Sequence, residues 1–137
     1  MKIFLDENVL VAVLNKEYPL FSYASRILSL TERKNFQVFT SPVCLAIAFY
    51  FAEKKSGSTI AGNKISLLVS NIHIAPTNKE AVLKTISNQK IIDFEDGLEY
   101  YSALESGCRI IITEDQGDFY FSEIEVLSCR KFIEKYF

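Results

Sequence analysis

The sequence predicts an α/β protein with a three-layer α/β/α fold, in which helices cover a central, mostly parallel sheet of about five strands. Short stretches of β-forming residues alternate with longer helical stretches along the chain, and this alternation is typical of a parallel sheet. Of the 137 residues, 49% are hydrophobic, which is enough for a sizeable core. Residues 1–137 are therefore expected to form a single domain.

The first half of the chain is predicted to supply two strands and four helices. The strands are expected at residues 2–5 and 36–40, and the helices at 8–15, from Pro19 onward, at 42–55 and at 60–70. Ser41 and Pro42 mark the start of the central helix, because serine caps a helix N-terminus well and proline is favoured at the first helical position.

The second half is predicted to supply three short strands and three helices. The strands are expected at residues 72–75, 109–113 and 125–127, and the helices at 78–87, 93–107 and 129–136. Gly107 is expected to end the second of these helices, because glycine readily adopts the left-handed conformation found there. Ser128 is expected to cap the last helix.

Charge, cysteine content and targeting signals exclude several classes of protein. The net charge is −2, so no strongly basic field indicates a nucleic-acid ligand, although a local patch and a bound cation would still allow an enzyme to hold RNA briefly. The odd number of cysteines, without a CxxC pair, argues against a disulfide framework and predicts reduced, buried thiols. Neither a signal peptide nor a membrane-length apolar run is visible, which predicts a cytoplasmic protein. The single histidine argues against a serine triad or a histidine-based metal site.

Four aspartates are expected at the edge of the sheet where ligands bind. Asp6 follows the first strand, and Asp96 lies near the start of a helix. Asp115 and Asp118 follow the strand at 109–113. Because the carboxyl ends of parallel strands meet at one edge, these side chains are expected to lie close together. Carboxylates with almost no histidine suit a hard cation such as Mg²⁺ or Mn²⁺, which predicts metal-assisted phosphodiester chemistry.

Each aspartate also has a purely structural interpretation. Asp6 would cap the helix that follows it. Asp93 and Asp96 have the spacing of an N-cap and a first-turn acid, and we assign the capping role to Asp93 and the functional role to Asp96. Turns around Gly117 would explain the other two aspartates. Because all four fall at the same predicted sheet edge, a shared site is the favoured interpretation.

Four stretches of the chain carry motifs of one known family. Residues 3–10, with the sequence IFLDENVL, contain an apolar strand followed by an aspartate and an asparagine. Residues 93–104 begin a helix with acidic residues, residues 107–119 end in a second acidic motif, and residues 41–50 form the central helix. In this order they resemble the PIN domain family, and within it the VapC-like group of toxin ribonucleases, over essentially the whole chain.

The resemblance implies a divalent-metal-dependent endoribonuclease that hydrolyses RNA and is the toxin of a toxin–antitoxin pair, with an antitoxin protein as partner. PIN domains commonly pair, and the apolar stretches 20–30 and 43–52 carry more hydrophobic residues than one helix face needs, so a homodimer is expected. The implied cofactor is Mg²⁺ or Mn²⁺. The implied site comprises the catalytic carboxylates Asp6, Asp96 and Asp115, the further metal ligand Asp118, and Asn8 and Thr113, whose side chains are suited to orienting a carboxylate or a metal-bound water.

One position departs from the family's pattern. Many PIN domains carry glutamate on the central helix, and the resembling subgroup carries asparagine, but the matching residue here is Ile47, which can neither bind a metal nor accept a hydrogen bond. This keeps open a second interpretation, a degenerate PIN domain that binds RNA or a protein partner without cleavage. A phosphatase with Asp6 as nucleophile ranks last, because Asn8 cannot act as its general acid.

Overall fold

The strands form one parallel sheet in the order β3–β2–β1–β4–β5. The computed structural model describes residues 1–137. The strands are β1 (Lys2–Leu5), β2 (Gln37–Thr40), β3 (His73–Ile74), β4 (Ile110–Ile112) and β5 (Glu125–Leu127). The helices are α1 (Glu7–Leu14), α2 (Leu20–Leu28), α3 (Pro42–Ser56), α4 (Ser58–Val69), α5 (Lys79–Ser87), α6 (Phe94–Glu105) and α7 (Cys129–Tyr136). Short 3₁₀ helices cover Ser29–Glu32 and Gln116–Phe119.

Helices cover the central sheet, so the predicted three-layer α/β/α arrangement is confirmed. The central helix α3 packs against α1, α4 and α6, and α5 packs against α6, whereas α2 packs against α1 and α7. A continuous core of 31 buried hydrophobic residues joins these elements. The middle strand β1 is completely buried from Ile3 to Leu5, which explains why its sequence is a continuous apolar run.

The direction in which strands are added to the sheet changes at β1. Strands β2 and β3 lie on one side of β1, and strands β4 and β5 lie on the other. Leu5 pairs with Ile112, so the next residues, Asp6 and Thr113, lie at adjacent strand ends. Such a switch point opens a crevice at the carboxyl ends of the strands, where ligands bind in open parallel sheets.

Helix starts follow the capping residues that the sequence contains. The caps predicted at Ser41, Asp93 and Ser128 are confirmed, because their side-chain oxygens accept backbone N–H bonds in the first turn, and Asn78 caps α5 in the same way. Helix α1 begins at Glu7, one residue earlier than predicted, because Asp6 accepts the Glu7 N–H and serves as its cap. Asp6 therefore caps α1, and this structural role does not exclude a functional one.

Some boundaries in the structure differ from those predicted. Helix α4 begins at Ser58 instead of residue 60, because Gly57 alone turns the chain between α3 and α4 with a φ of 85°. Strand β3 shortens to two residues, which are the only ones that pair with β2. The 3₁₀ helix Gln116–Phe119 replaces the simple turn expected around Gly117.

The cysteines are free and buried, as the sequence predicted. Cys44 lies on α3, Cys108 precedes β4, and Cys129 opens α7. Among the helices, none combines the length and the apolar character needed to cross a membrane.

Candidate metal centre

Asp6 is buried at the switch point of the sheet, where it is 2% exposed. Its Oδ2 accepts hydrogen bonds from Thr113 Oγ1 at 2.7 Å and from Asn8 Nδ2 at 3.2 Å. Its Oδ1 accepts the Glu7 N–H at 2.8 Å and lies 3.9 Å from Cys44 Sγ. One carboxylate oxygen therefore faces the end of β4, and the other faces the central helix α3.

Asn8 connects Asp6 to the loop that follows β4. Its Nδ2 lies 3.0 Å from Asp115 Oδ2 and 3.1 Å from Thr113 Oγ1, in addition to its contact with Asp6. Its Oδ1 accepts the Glu114 N–H at 3.1 Å, and Thr113 Oγ1 accepts the Asp115 N–H at 3.0 Å. The carboxylates of Asp6 and Asp115 are thus held within hydrogen-bonding distance of the same amide nitrogen.

Asp96 and Asp118 share the electrostatic environment of Asp6. Partial burial raises the pKa of Asp96 to about 7, and the charges of Asp93 and Asp118 add to this shift. Desolvation and the charges of Asp115 and Asp6 raise the pKa of Asp118, which is largely exposed. Like charges at short range favour proton binding, so this edge of the sheet is a region of strong negative potential. Coordination of one cation by these aspartates stays a prediction.

A second acidic set is drawn from α1, α3 and α6. One ligand atom from each of its members lies within 4.8 Å of the others, and we call this set the interior cluster: Asp6, Glu7, Cys44 and Glu99. Glu99 lies on α6 one turn after Asp96 and is 0% exposed. Glu7 Oε2 and both carboxylate oxygens of Glu99 are buried and have no hydrogen-bond partner.

Crowding in the interior cluster favours protonated acids. Burial raises the pKa of Glu7 to about 9, and its interactions with Asp6 add to the shift. Burial and the neighbouring charges of Cys44 and Asp6 raise the pKa of Glu99 far above its ordinary value. Burial also raises the pKa of the Cys44 thiol. These groups hold protons that a bound cation would displace.

The central helix contributes a thiol to this region. Cys44 is completely buried, whereas Ile47 is half-buried one turn later on the same side of α3. Cys44, not Ile47, places a donor atom near Asp6. Although Ile47 replaces the glutamate or asparagine of related PIN domains, α3 still contributes one polar group to the site, the thiol of Cys44.

Sequence reasoning missed three members of the interior cluster. The sequence could have indicated Glu99, because residues three positions apart on a helix share a face and Asp96 was already assigned to the site. Glu7 directly follows Asp6 in the sequence. Cys44 had no comparable signal, because its distance from Asp6 depends on how α3 packs against α1.

The fold and its acidic crevice define a class of protein, a parallel α/β domain whose switch point carries carboxylates able to hold a divalent cation. Residues 2–117 match the family model of the PIN domain. The match spans most of the chain, and the protein therefore belongs to the PIN domain family.

Similarity to characterised relatives extends over nearly the whole chain. The chain is 28% identical to Ribonuclease VapC1 of Aquifex aeolicus (strain VF5), over 98% of this chain and 95% of that protein. Its structure resembles VapBC-1 from nontypeable Haemophilus influenzae with a TM-score of 0.71 and 20% identity, over 95% of this chain and 99% of that chain. It also resembles Mycobacterium tuberculosis VapC20, a Sarcin-Ricin loop cleaving toxin, with a TM-score of 0.68 and 17% identity, over 89% of this chain and 95% of that chain. At these identities, the two structures establish the fold.

Proposed function

We propose that this PIN domain is a divalent-metal-dependent endoribonuclease that hydrolyses RNA phosphodiester bonds and acts as the toxin of a toxin–antitoxin pair. The observation that carries the proposal is the buried carboxylate of Asp6 at the switch point, surrounded by further acidic side chains in a domain of this family. The similarity to Ribonuclease VapC1 along 98% of the chain supports the same activity.

The donor atoms of the crevice suit Mg²⁺ or Mn²⁺, which prefer carboxylate oxygens. Asp6, Asp96 and Asp115 would hold the cation, and Asp118 would complete its surroundings. When bound, the cation supplies a water activated for attack and neutralises charge that develops on the phosphate. The raised pKa of Asp96 fits this assignment, because its partial burial and then the charges of neighbouring aspartates favour proton binding until a cation compensates their charge.

Asn8 and Thr113 act as positioning residues in this proposal. Thr113 donates to Asp6 Oδ2 at 2.7 Å and accepts the Asp115 N–H at 3.0 Å, so it fixes the distance between the ends of β1 and β4. Asn8 contacts both carboxylates from the first turn of α1. Such supporting partners orient metal ligands before the cation arrives.

The proposal includes an antitoxin protein as partner and the cytoplasm as the place of action. Solved structures that resemble this chain include the VapBC-1 structure named above and the Salmonella typhimurium VapBC bound to DNA, which supports a protein partner. The free thiols at positions 44, 108 and 129 suit a reducing compartment.

Replacement of Asp6 by asparagine tests the proposed function. Asp6→Asn keeps the size of the side chain but removes its charge, so we expect RNA cleavage to fall by on the order of 100-fold or more with either metal. Cleavage of structured RNA is measured with Mg²⁺ and with Mn²⁺, and circular dichroism checks folding. Glu80→Gln, an exposed carboxylate on α5, is the control and should keep full activity.

A second candidate function is a degenerate PIN domain that binds RNA or a protein partner without cleavage, and Ile47 is the residue that favours it. The same assays separate the two functions. RNA cleavage that requires a metal and Asp6 supports the nuclease. A folded wild-type protein that binds RNA but cuts none with either metal refutes the nuclease and supports the binding domain.

A further inference from the structure

Glu99 is an anomaly in the middle of the domain. Its side chain is 0% exposed, and neither of its carboxylate oxygens accepts a hydrogen bond from an N–H or hydroxyl group of another residue, so its polar neighbours are the other acids of the interior cluster. Glutamate is almost never fully buried unless it is paired, because an unpartnered carboxyl group loses its hydration in a protein interior without gaining a replacement. A third buried oxygen without a partner, Glu7 Oε2, belongs to the same cluster.

No cationic side chain compensates these acids. The ion pairs of the protein involve other carboxylates, those of Glu80, Glu105, Glu125 and Glu134. The buried polar and charged residues include no lysine, arginine or histidine. The interior cluster therefore lacks any protein group that would neutralise ionised carboxylates.

The ligand atoms are arranged around a common point. One atom from each of the four side chains lies within 4.8 Å of the other three, so a small contraction would bring all four to a single ion. Asp6 reaches both regions, because Oδ1 faces Cys44 while Oδ2 faces Asn8 and Thr113. The interior cluster thus does not include Asp115 and Asp118, which follow β4, but Asp6 belongs both to the cluster and to the predicted set of aspartates.

We infer that the interior cluster is a second cation site, which takes a divalent transition-metal ion of the Zn²⁺ type. Three carboxylates and one thiol form an O₃S donor set, and Zn²⁺ accepts both cysteine sulfur and carboxylate oxygen in four-coordinate sites. Mg²⁺ and Ca²⁺ prefer oxygen ligands alone, so the sulfur of Cys44 selects against them. Binding replaces the S–H bond of Cys44 and the O–H bonds of protonated Glu7 and Glu99 by bonds to the metal, and the protons are released to solvent.

The interior site deepens the proposed function, and its use in catalysis rests on that function. An ion there would fix the Oδ1 side of Asp6 and leave Oδ2 directed at the catalytic crevice. Glu99 on α6 would then supply an acidic ligand beside Asp6. The central helix α3 supplies only the thiol of Cys44 there, because Ile47 has no donor atom. Metal uptake itself can be measured without any RNA.

Metal binding by the full-length protein tests the inference. The metal-free protein is titrated with Zn²⁺ by calorimetry and with Co²⁺ by absorption spectroscopy, since a thiolate–Co²⁺ bond gives a charge-transfer band. We expect one tightly bound Zn²⁺ per chain and a Co²⁺ band. Cys44→Ser should remove the band, whereas Cys129→Ser, which alters another buried thiol, should keep it.

Two substitutions of glutamates on α6 provide the second part of the test. Glu99→Gln should weaken Zn²⁺ binding by about tenfold or more. Glu105→Gln changes a glutamate on the same helix that pairs with Lys84 outside the interior cluster, and it should leave the Zn²⁺ affinity unchanged. If Glu99→Gln does not fold, the comparison of Cys44→Ser with Cys129→Ser decides the question alone.

Several results would overturn the interior site. One is a folded wild-type protein that takes up no Zn²⁺ and shows no Co²⁺ band. Another is a Co²⁺ band that survives Cys44→Ser. The last is an unchanged Zn²⁺ affinity in folded Glu99→Gln. The interior cluster would then be a set of protonated acids. A protein that shows the Co²⁺ band but cleaves no RNA refutes the proposed nuclease and keeps the interior site, whereas Mg²⁺-dependent cleavage without the band does the reverse.

Discussion

The two carboxylate oxygens of Asp6 have separate neighbours, and this division lets one residue join two groups of side chains. Oδ2 is bonded to Thr113 and Asn8, which tie it to the loop after β4. Oδ1 caps α1 through the Glu7 N–H and approaches Cys44 of α3. The capping and metal-binding interpretations of Asp6 are therefore compatible, because each can use a different oxygen.

The acidic residues predict how the stability of the metal-free protein depends on pH. The pKa of Asp96 is raised to about 7 and that of Glu7 to about 9, so the folded state holds protons that the unfolded chain releases near pH 4. The contribution of these groups to stability is fully present below about pH 4 and is lost as the pH rises through about 7 and 9. The melting temperature in the presence of EDTA should therefore fall between pH 5 and pH 9.

Circular dichroism melts across this pH range check the prediction. Asp96→Asn should flatten the pH dependence between pH 5 and pH 7, because the substituted side chain does not titrate. Glu80→Gln, whose carboxylate is exposed on α5, should leave the slope as it is in the wild type. A melting temperature that rises with pH over the same interval would contradict the assignment.

At the scale of single elements, Gly57 determines how α3 passes into α4. Its φ of 85° and ψ of 163° lie in a region that only glycine adopts without strain, although an added Cβ would meet no atom within 4 Å. Gly57→Ala should therefore lower the free energy of unfolding by about 1–3 kcal/mol through the backbone alone. Urea denaturation measures this change.

Gly62 is the matched control for this prediction. It lies inside α4 with ordinary helical geometry, and an added Cβ there also meets no atom within 4 Å. Gly62→Ala should raise the free energy of unfolding by about 0.5–1 kcal/mol, because alanine favours helix more than glycine does. Equal effects of the two substitutions would show that the conformation of Gly57 is not strained for other residues.

Helix starts were predictable from the sequence, whereas the order of the strands was not. The helix starts at Ser41, Asn78, Asp93 and Ser128 were predictable, because each cap is a local contact within a few residues. The parallel sheet was also predictable, because the alternation of strands and helices can be read along the chain. Strand order and the contact of Cys44 with Asp6 were not predictable, because they depend on packing between parts of the chain that are not adjacent in sequence. Cys44 and Asp6, for example, are 38 positions apart.

At the scale of the whole molecule, the outer face of α3 predicts a homodimer. Tyr50 is 55% exposed and Phe51 is 45% exposed, and the two rings pack edge to face with centroids 5.3 Å apart. Aromatic residues are enriched at subunit interfaces, where they bury large apolar surfaces. We therefore expect sedimentation of the wild-type protein to give the mass of two chains.

Substitutions on α3 locate the expected interface. The double variant Tyr50→Ser and Phe51→Ser should sediment as a monomer at the same concentration. Tyr18→Ser removes a more exposed tyrosine that precedes α2, and it should leave the dimer intact. A wild-type protein that remains a strict monomer at high concentration would rule out this association.

The pairing of β1 with β4 has a consequence for synthesis of the chain. Asn8 and Thr113, whose side chains meet beside Asp6, are separated by 105 positions in the sequence. A chain emerging from the ribosome can build β1, α1 and the central helix long before β4 exists to lie beside them. The crevice beside Asp6 is therefore completed only after β4 has been synthesised, because a shorter chain lacks the contacts that Thr113 makes with Asp6 and Asn8.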